Sequence, residues 1–165
     1  MKIWQYIDLD AGEVDNLKEA YLKLLPAPPH FFNTVDIGIK EFMGVEIFRA
    51  VIINAPPMSI GMVHKDHRPV DNNVLAINIP LINCQDAKTY FWDTTEDINK
   101  ISYTSSGSPY IGFSKASCTK IDEFILTKPI IFRTDIPHSV DNHSNNNRIA
   151  ISLRLKTDPW HLINR

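Results

Sequence analysis

Short apolar runs separated by turn residues fill the chain from residue 45 onward, and this pattern limits the fold more than any other feature. Runs of this kind, rich in Ile, Val and Phe and bounded by Gly, Pro, Asn or Asp, are typical of β-strands. The predicted strands are Val45–Asn54, Ile60–Val63, Val74–Leu81, Thr89–Trp92, Pro109–Phe113, Ile130–Arg133 and Arg148–Leu155. The stretches HRPVDNN, SSGSP and DNHSNNN are predicted to be loops.

The last of these strands separates into two different faces. Its odd-numbered residues are all Ile or Leu, whereas its even-numbered residues are small or polar. The even-numbered residues are Arg148, Ala150, Ser152 and Arg154. The strand Val74–Leu81 divides in the same way, with Ala76 and Asn78 on its second face. Since residues two apart in a strand point to the same side, the apolar face predicts a core. The other face is either solvated or lines a ligand cavity, and its small, mostly uncharged residues favour the cavity.

One segment near the N-terminus has helical periodicity instead. In Val14–Leu25 apolar side chains recur at spacings of three and four, and Pro26 follows directly. The 165 residues suit one domain and contain no repeat or interdomain linker. We therefore expect a single mainly β domain, 1–165, in which a helix at about 14–25 packs on a closed or two-sheet antiparallel core at about 45–155.

Composition excludes several classes of partner. The formal net charge is −2 and no block of like charges occurs, so neither nucleic acid nor a membrane surface is an expected partner. No apolar stretch approaches the ~18 residues of a membrane span, and acidic residues interrupt the N-terminus where a signal peptide would be apolar. Cys84 and Cys118 form no CxxC pair, which favours reduced cysteines and a cytoplasmic location, although pairing in space stays open.

The stretch His64-Lys65-Asp66-His67 carries the residues most suited to metal chemistry. If the stretch is extended, His64 and Asp66 point to one side and could bind the same ion. The alternative is a polar turn after the strand Ile60–Val63. Under the extended reading His67 points away, so we predict that it does not contact the metal.

A metal site would need a third ligand from a distant part of the chain. His138 follows the apolar run of Ile130–Arg133 and precedes Arg148–Leu155, so we expect it at a strand end beside the polar inner faces. His143 lies within a run of Asn and Ser and is expected on an exposed turn. The remaining histidines are His30 and His161.

These residues together resemble the signature of the 2-oxoglutarate- and iron(II)-dependent oxygenases. The resemblance rests on His64-x-Asp66, on His138, and on Arg148 ten positions after it, and it covers roughly residues 60 to 155. It implies a double-stranded β-helix, which is a cupin-like jelly roll, with N-terminal helical support. The segments LAINIPLINCQDAKTYFW and FRTDIPHSVDN also resemble the aspartyl/asparaginyl β-hydroxylase-like branch.

The resemblance assigns roles to five residues. It implies that His64, Asp66 and His138 bind Fe(II), with no catalytic residue beyond these ligands. Arg148 would bind the far carboxylate of 2-oxoglutarate through its bidentate guanidinium. Asn78 would either contact the co-substrate or bridge strands. Some members carry a hydroxyl two residues after the arginine; here that residue is Ala150, and Ser152 is the next candidate.

The implied reaction is hydroxylation of a small molecule or a peptide or protein side chain, with release of succinate and CO2. The long segment Asp93–Pro109 is a candidate lid. Two alternatives remain: a cupin-type metal enzyme that does not use 2-oxoglutarate, and a non-catalytic metal-binding or structural jelly roll.

Overall fold

Two antiparallel sheets face each other in the computed structural model, which describes residues 2–24, 32–68 and 73–163. In chain order the elements are β1 (Trp4–Tyr6), α1 (Ala11–Leu24), β2 (Asn33–Asp36), β3 (Glu41–Phe42), β4 (Val45–Ala55), β5 (Ser59–Ile60), β6 (Val63–Asp66), β7 (Leu75–Ile82), β8 (Ala87–Thr94), β9 (Ile101–Tyr103), β10 (Pro109–Phe113), a 3₁₀ turn (Lys115–Ser117), β11 (Cys118–Ile125), β12 (Ile130–Arg133), β13 (His138–Asn142), β14 (Arg148–Leu155) and α2 (Trp160–Ile163).

The strand order identifies the fold. One sheet, the major sheet, has the order β1-β12-β7-β14-β4-β2, with β3 also paired to β4. The other, the minor sheet, has the order β11-β8-β13-β6-β10-β9, with β5 also paired to β13. Most consecutive strands from β4 to β14 therefore alternate between the two sheets. This arrangement is a double-stranded β-helix, or jelly roll, and it confirms the predicted fold class.

The helix α1 begins three residues before its predicted start. Asp10 accepts a hydrogen bond from the Glu13 amide at 3.2 Å, and this N-cap adds a turn to the helix. Leu17 and Tyr21 are buried against the outer face of the major sheet. The predicted last residue, Leu25, lies outside the described residues, and so do Pro26 and His30.

Most predicted strands are present, but the one at Ile60–Val63 was wrong. The chain forms β5 up to Ile60, leaves the sheet at Gly61 and Met62, and resumes as β6. The backbone of Val140 passes so close that a Cβ on Gly61 would lie 2.3 Å from its carbonyl oxygen. This break sets the register that places His64 directly opposite His138.

Several polar strands were missed. They are Trp4–Tyr6, Asn33–Asp36, Glu41–Phe42, Ile101–Tyr103, Cys118–Ile125 and His138–Asn142. Two corrections follow for the site. His138 opens a strand and does not close one, and the predicted loop DNHSNNN begins inside that strand, because Asp141 and Asn142 pair with β5 and β8.

The apolar residues form cores on both sides of the major sheet. The odd-numbered residues of β14 pack under α1, as predicted. On the inner face, Ala76 and Ala150 pack against the rings of Phe91, Phe124 and Phe132. The small inner residues thus leave space for aromatic rings, so this part of the interior is a packed core and not the predicted cavity. Within the described ranges, no helix has the length and apolar character needed to cross a bilayer.

Candidate metal centre

Two neighbouring strands of the minor sheet bring the three predicted metal ligands together. His64 and Asp66 lie on β6, and His138 on β13 is the cross-strand partner of His64. The possible ligand atoms of the three side chains all lie within 4.8 Å of one another. The Nε2 atom of His64 is 3.9 Å from Oδ1 of Asp66. Among the described residues, they form the single His, Cys, Asp or Glu group that could hold a metal ion.

Backbone hydrogen bonds fix the tautomer of both histidines. Nδ1 of His64 lies 3.0 Å from the carbonyl oxygen of Met62, and Nδ1 of His138 lies 2.9 Å from that of Ile136. Because a carbonyl oxygen only accepts, each Nδ1 carries the proton. Each neutral ring then presents the Nε2 lone pair, as metal-binding histidines do.

His138 is held in its neutral, metal-binding form. Its ring packs edge-on against Phe132, with the centroids 5.4 Å apart, and beside Phe91. Burial, with a smaller contribution from the charge of His64, lowers the pKa of His138 to about 3, although Asp66 opposes the shift. No proton therefore has to leave His138 at neutral pH before a metal binds.

Asp66 is oriented by two arginines. Its Oδ2 atom lies 2.6 Å from Nε of Arg154 and 3.6 Å from Nη2 of Arg68. Its Oδ1 atom faces His64 and accepts a long hydrogen bond, 3.5 Å, from Nη2 of Arg154. Burial alone would raise the pKa of Asp66, but the charge of Arg154, with the histidines and Arg68, outweighs burial and lowers it. The carboxylate is ionised, and one of its oxygens remains turned towards the imidazoles.

The donor set fits a divalent transition metal. Two neutral imidazoles and one carboxylate on one face form the ligand set of non-haem iron(II) sites, which leaves coordination positions open. Metal–ligand bonds of about 2.1 Å at right angles place ligand atoms about 3 Å apart. Small rotations of His64 and Asp66 would close the present 3.9 Å to that separation.

The other histidines that the structure describes lie apart from this group. His67 follows β6, where its amide donates to the carbonyl oxygen of Pro109. His143 is exposed on a turn, and Nε2 of His161 bonds to the carbonyl oxygen of Met43. That His67 makes no metal contact stays a prediction.

Arg148 is almost wholly buried, at 1% exposure, on the inner side of β14. Its Nε and Nη1 atoms have no hydrogen-bond partner among the described residues. Burial lowers the pKa of Arg148, and the nearby Cys84 side chain opposes this only in part. A guanidinium stays charged inside proteins, so this buried cation has open donors that suit a carboxylate.

The other inner polar residues have different neighbours. Asn78 lies on β7 opposite Ser152, and its Oδ1 has no hydrogen-bond partner among the described residues. Ser152 accepts a hydrogen bond from Arg154. Ser152 therefore supports the arginine at the metal end of the strand.

The candidate lid is partly regular structure. Residues 93–109 contain the end of β8, a loop, and the strand β9, which pairs with β10. The turn between β9 and β10 bonds to the edge of the major sheet, where Thr34 contacts Ser105 and Ser106. The hairpin thus joins the two sheets. Of the aromatic residues in this region, Tyr110 reaches the site, with its ring 5.8 Å from that of His64.

Sequence reasoning did not identify the partners of Asp66. Strand parity placed Arg154 on the inner face, but the sequence contains no signal for its pairing with Asp66 across the two sheets. Arg68 follows the metal-binding strand and was assigned to a loop. Both cysteines are free, with Cys84 buried and Cys118 half-buried.

Comparison with solved structures supports the fold at the level of architecture. SnoK, a non-haem α-ketoglutarate-dependent carbocyclase from nogalamycin biosynthesis, matches with a TM-score of 0.54 and 12% identity, over 93% of this chain and 79% of SnoK. The chain shares the SnoK fold. HygX from Streptomyces hygroscopicus, whose structure contains nickel and 2-oxoglutarate, matches with a TM-score of 0.50 and 8% identity, over 91% of this chain and 80% of HygX. No protein-family model and no curated protein sequence matches the chain.

Proposed function

We propose that this chain is a single-domain 2-oxoglutarate- and iron(II)-dependent oxygenase that hydroxylates a small molecule or a peptide or protein side chain. The observation that carries the proposal is the pairing of two features in one interior. His64, Asp66 and His138 present a three-ligand group, and Arg148 presents a buried guanidinium with open donors.

The chain's own residues would divide the work between them. His64 and His138 would bind iron through Nε2, and Asp66 through Oδ1, while Arg154 and Arg68 hold Oδ2. Arg148 would bind the far carboxylate of 2-oxoglutarate, and Asn78 is a candidate second contact. When bound, the iron would let 2-oxoglutarate and O2 react together, so that one oxygen atom of O2 would enter succinate, with release of CO2, and the other would become the hydroxyl group of the product.

The finer parts of the proposal rest on sequence alone. The aspartyl/asparaginyl β-hydroxylase-like branch rests on two sequence segments. A cytoplasmic location is supported by the two free cysteines. No nucleic-acid or membrane partner is proposed, because no strong charge block is present. The retained carboxylate ligand argues against halogenation.

A cupin-type metal enzyme that does not use 2-oxoglutarate would need the three ligands but not Arg148. The experiment that separates the two functions is succinate formation from 2-oxoglutarate with added iron(II), measured in wild type, His64→Ala and Arg148→Met. We expect succinate from wild type, none from His64→Ala, and almost none from Arg148→Met at the 2-oxoglutarate concentration that saturates wild type. Metal binding with no succinate and no effect of Arg148→Met on 2-oxoglutarate affinity would favour the cupin-type enzyme.

A further inference from the structure

We propose that the substrate carries an anionic group, a carboxylate or a phosphate, which binds among Arg49, Arg68 and Arg154 at the metal end of the interior. This inference rests on the proposed function and names the substrate class for the same site. Three guanidiniums lie at this end of the inner face, and the nearby carboxylates of the described residues do not balance them.

Two of the arginines share one carboxylate oxygen. Nε of Arg154 and Nη2 of Arg68 both approach Oδ2 of Asp66, at 2.6 Å and 3.6 Å. The same Asp66 faces His64 with its other oxygen, so a metal ion would draw on its single negative charge as well. One carboxylate therefore serves two guanidiniums and a cation, which leaves positive charge at this end of the interior.

Arg49 adds a third charge without adding a buried carboxylate. It is the cross-strand partner of Arg154, so the two side chains lie on the same face. Like charges opposite each other destabilise a sheet. The carboxylate of Asp36 lies 3.8 Å from Arg49, but its side chain is 46% exposed and its attraction is screened by water.

Arg68 also has unused hydrogen-bond donors. Its side chain is only 7% exposed, and its Nε and Nη2 atoms have no hydrogen-bond partner among the described residues. Nη1 donates to the carbonyl oxygens of Asn73 and Leu155. Asp135 also attracts Arg68, but Asp135 is itself paired with Arg133. A buried guanidinium with open donors is costly unless an anion completes it.

These features favour a substrate anion over the co-substrate. The Cα atoms of Arg148 and Arg154 are about 20 Å apart, because six residues separate them on β14, so their two guanidiniums cannot hold the same carboxylate. The far carboxylate of 2-oxoglutarate is assigned to Arg148, and its 1-carboxylate is assigned to the metal. Nη1 of Arg49 donates to the carbonyl oxygen of Ser106, which leaves the charge of Arg49 in place. The other donors of Arg49, with Nε and Nη2 of Arg68, then remain for a second anion, which would be held beside the metal by charge-assisted hydrogen bonds.

The test is thermal unfolding of the full chain with Mn(II), without and with saturating 2-oxoglutarate, under nitrogen. Inorganic phosphate and butyrate are titrated separately, with sodium chloride at matched ionic strength. The variants are Arg49→Gln and Arg49→Lys, since Arg49 is partly exposed and its replacement removes a repulsion. Arg68→Gln is a second probe, and Lys88→Gln, which removes a cation paired with Glu123 outside the cluster, is the matched control.

We expect one of the two anions to raise the Tm of the 2-oxoglutarate-saturated wild type beyond the chloride control. Its apparent affinity should weaken by about 10-fold or more in Arg49→Gln, recover in part in Arg49→Lys, and be unchanged in Lys88→Gln. Whichever anion gives the response identifies the group as carboxylate or phosphate.

Three results would overturn the inference. The first is that neither anion raises the Tm of wild type more than chloride does. The second is that the anion raises the Tm of Arg49→Gln as much as that of wild type. The third is that Arg49→Gln no longer responds to 2-oxoglutarate, which would assign the cluster to the co-substrate. If 2-oxoglutarate gave no response in wild type, the proposed function would fail. The anion titration with Mn(II) alone would then still decide whether the arginines bind an anion.

Discussion

Replacing Arg148 by Met should have opposite effects on the free and the ligand-bound protein. In the free protein Arg148 is a buried cation, 1% exposed, and its Nε and Nη1 atoms have no hydrogen-bond partner among the described residues. Met is unbranched, fits a similar path, and carries no charge. The change should therefore stabilise the free protein and abolish its response to 2-oxoglutarate.

The size of both effects follows from the environment of Arg148. Burying an ion that has no partner costs several kcal/mol. Replacing buried ionic groups by well-packed apolar side chains raises the free energy of unfolding of proteins by about 1–4 kcal/mol. A gain of about 2 kcal/mol raises the Tm of a chain of this size by about 4–8 °C. In wild type, 2-oxoglutarate at 100 times its Kd should add about 2.7 kcal/mol, and this gain should be absent in the variant.

The assay is thermal unfolding in Mn(II), with and without 2-oxoglutarate. Arg133→Met is the control, because Arg133 is paired with Asp135 and is 39% exposed. A lower Tm in free Arg148→Met would mean that the guanidinium is already satisfied inside the protein. A persistent 2-oxoglutarate response in that variant would refute the co-substrate assignment.

Three further predictions concern the frame of the site. Burial lowers the pKa of His138 from 6.5 to about 3, so the contribution of neutral His138 to stability should be complete above pH 6.5 and should fall as the pH drops towards 3. In urea unfolding of the metal-free protein, the free energy of unfolding should fall by about 2 kcal/mol between pH 7 and pH 5. His138→Phe should remove most of that fall. Gly61→Ala should destabilise the protein by about 1–3 kcal/mol, because its Cβ would lie 2.3 Å from the Val140 carbonyl oxygen. The metal affinity measured by calorimetry should also weaken. An unchanged stability and metal affinity would show that the two strands separate easily. Asn142→Ala should lower the free energy of unfolding in urea by about 1–3 kcal/mol. The side-chain nitrogen of Asn142 lies within 3.0 Å of the carbonyl oxygens of Ala55, Pro56 and Asn146. An unchanged free energy would show that water replaces these hydrogen bonds.

Strand alternation was sufficient to predict much of the interior. The odd-numbered residues of β14 are buried in the core that strand parity predicted, because a strand has a period of two whatever its partners are. Parity also separated the even-numbered face correctly, but Ala150 on that face packs in a second core and does not line the predicted cavity. The same parity placed His64 and Asp66 on one side of β6.

Other features depend on partners that local sequence does not encode. The strand that carries His138 was missed, and its last two residues, Asp141 and Asn142, were assigned to a loop, because the pairing of this strand with β6 and β8 is long-range. Aromatic rings fill the interior because Phe91 and Phe124 lie opposite Ala76 and Ala150. This juxtaposition of distant residues cannot be predicted from local sequence. The pairing of Arg154 with Asp66 joins residues on two sheets, and strand parity alone does not set such a distance.

The most direct test of the central claim is anaerobic absorption spectroscopy of the protein with iron(II) and 2-oxoglutarate. Chelation of 2-oxoglutarate to protein-bound iron(II) gives a weak metal-to-ligand charge-transfer band in the visible. We expect this band in wild type, and its loss both in His64→Ala and in Arg148→Met at the 2-oxoglutarate concentration that saturates wild type. Absence of the band in wild type at saturating iron(II) and 2-oxoglutarate would contradict the account.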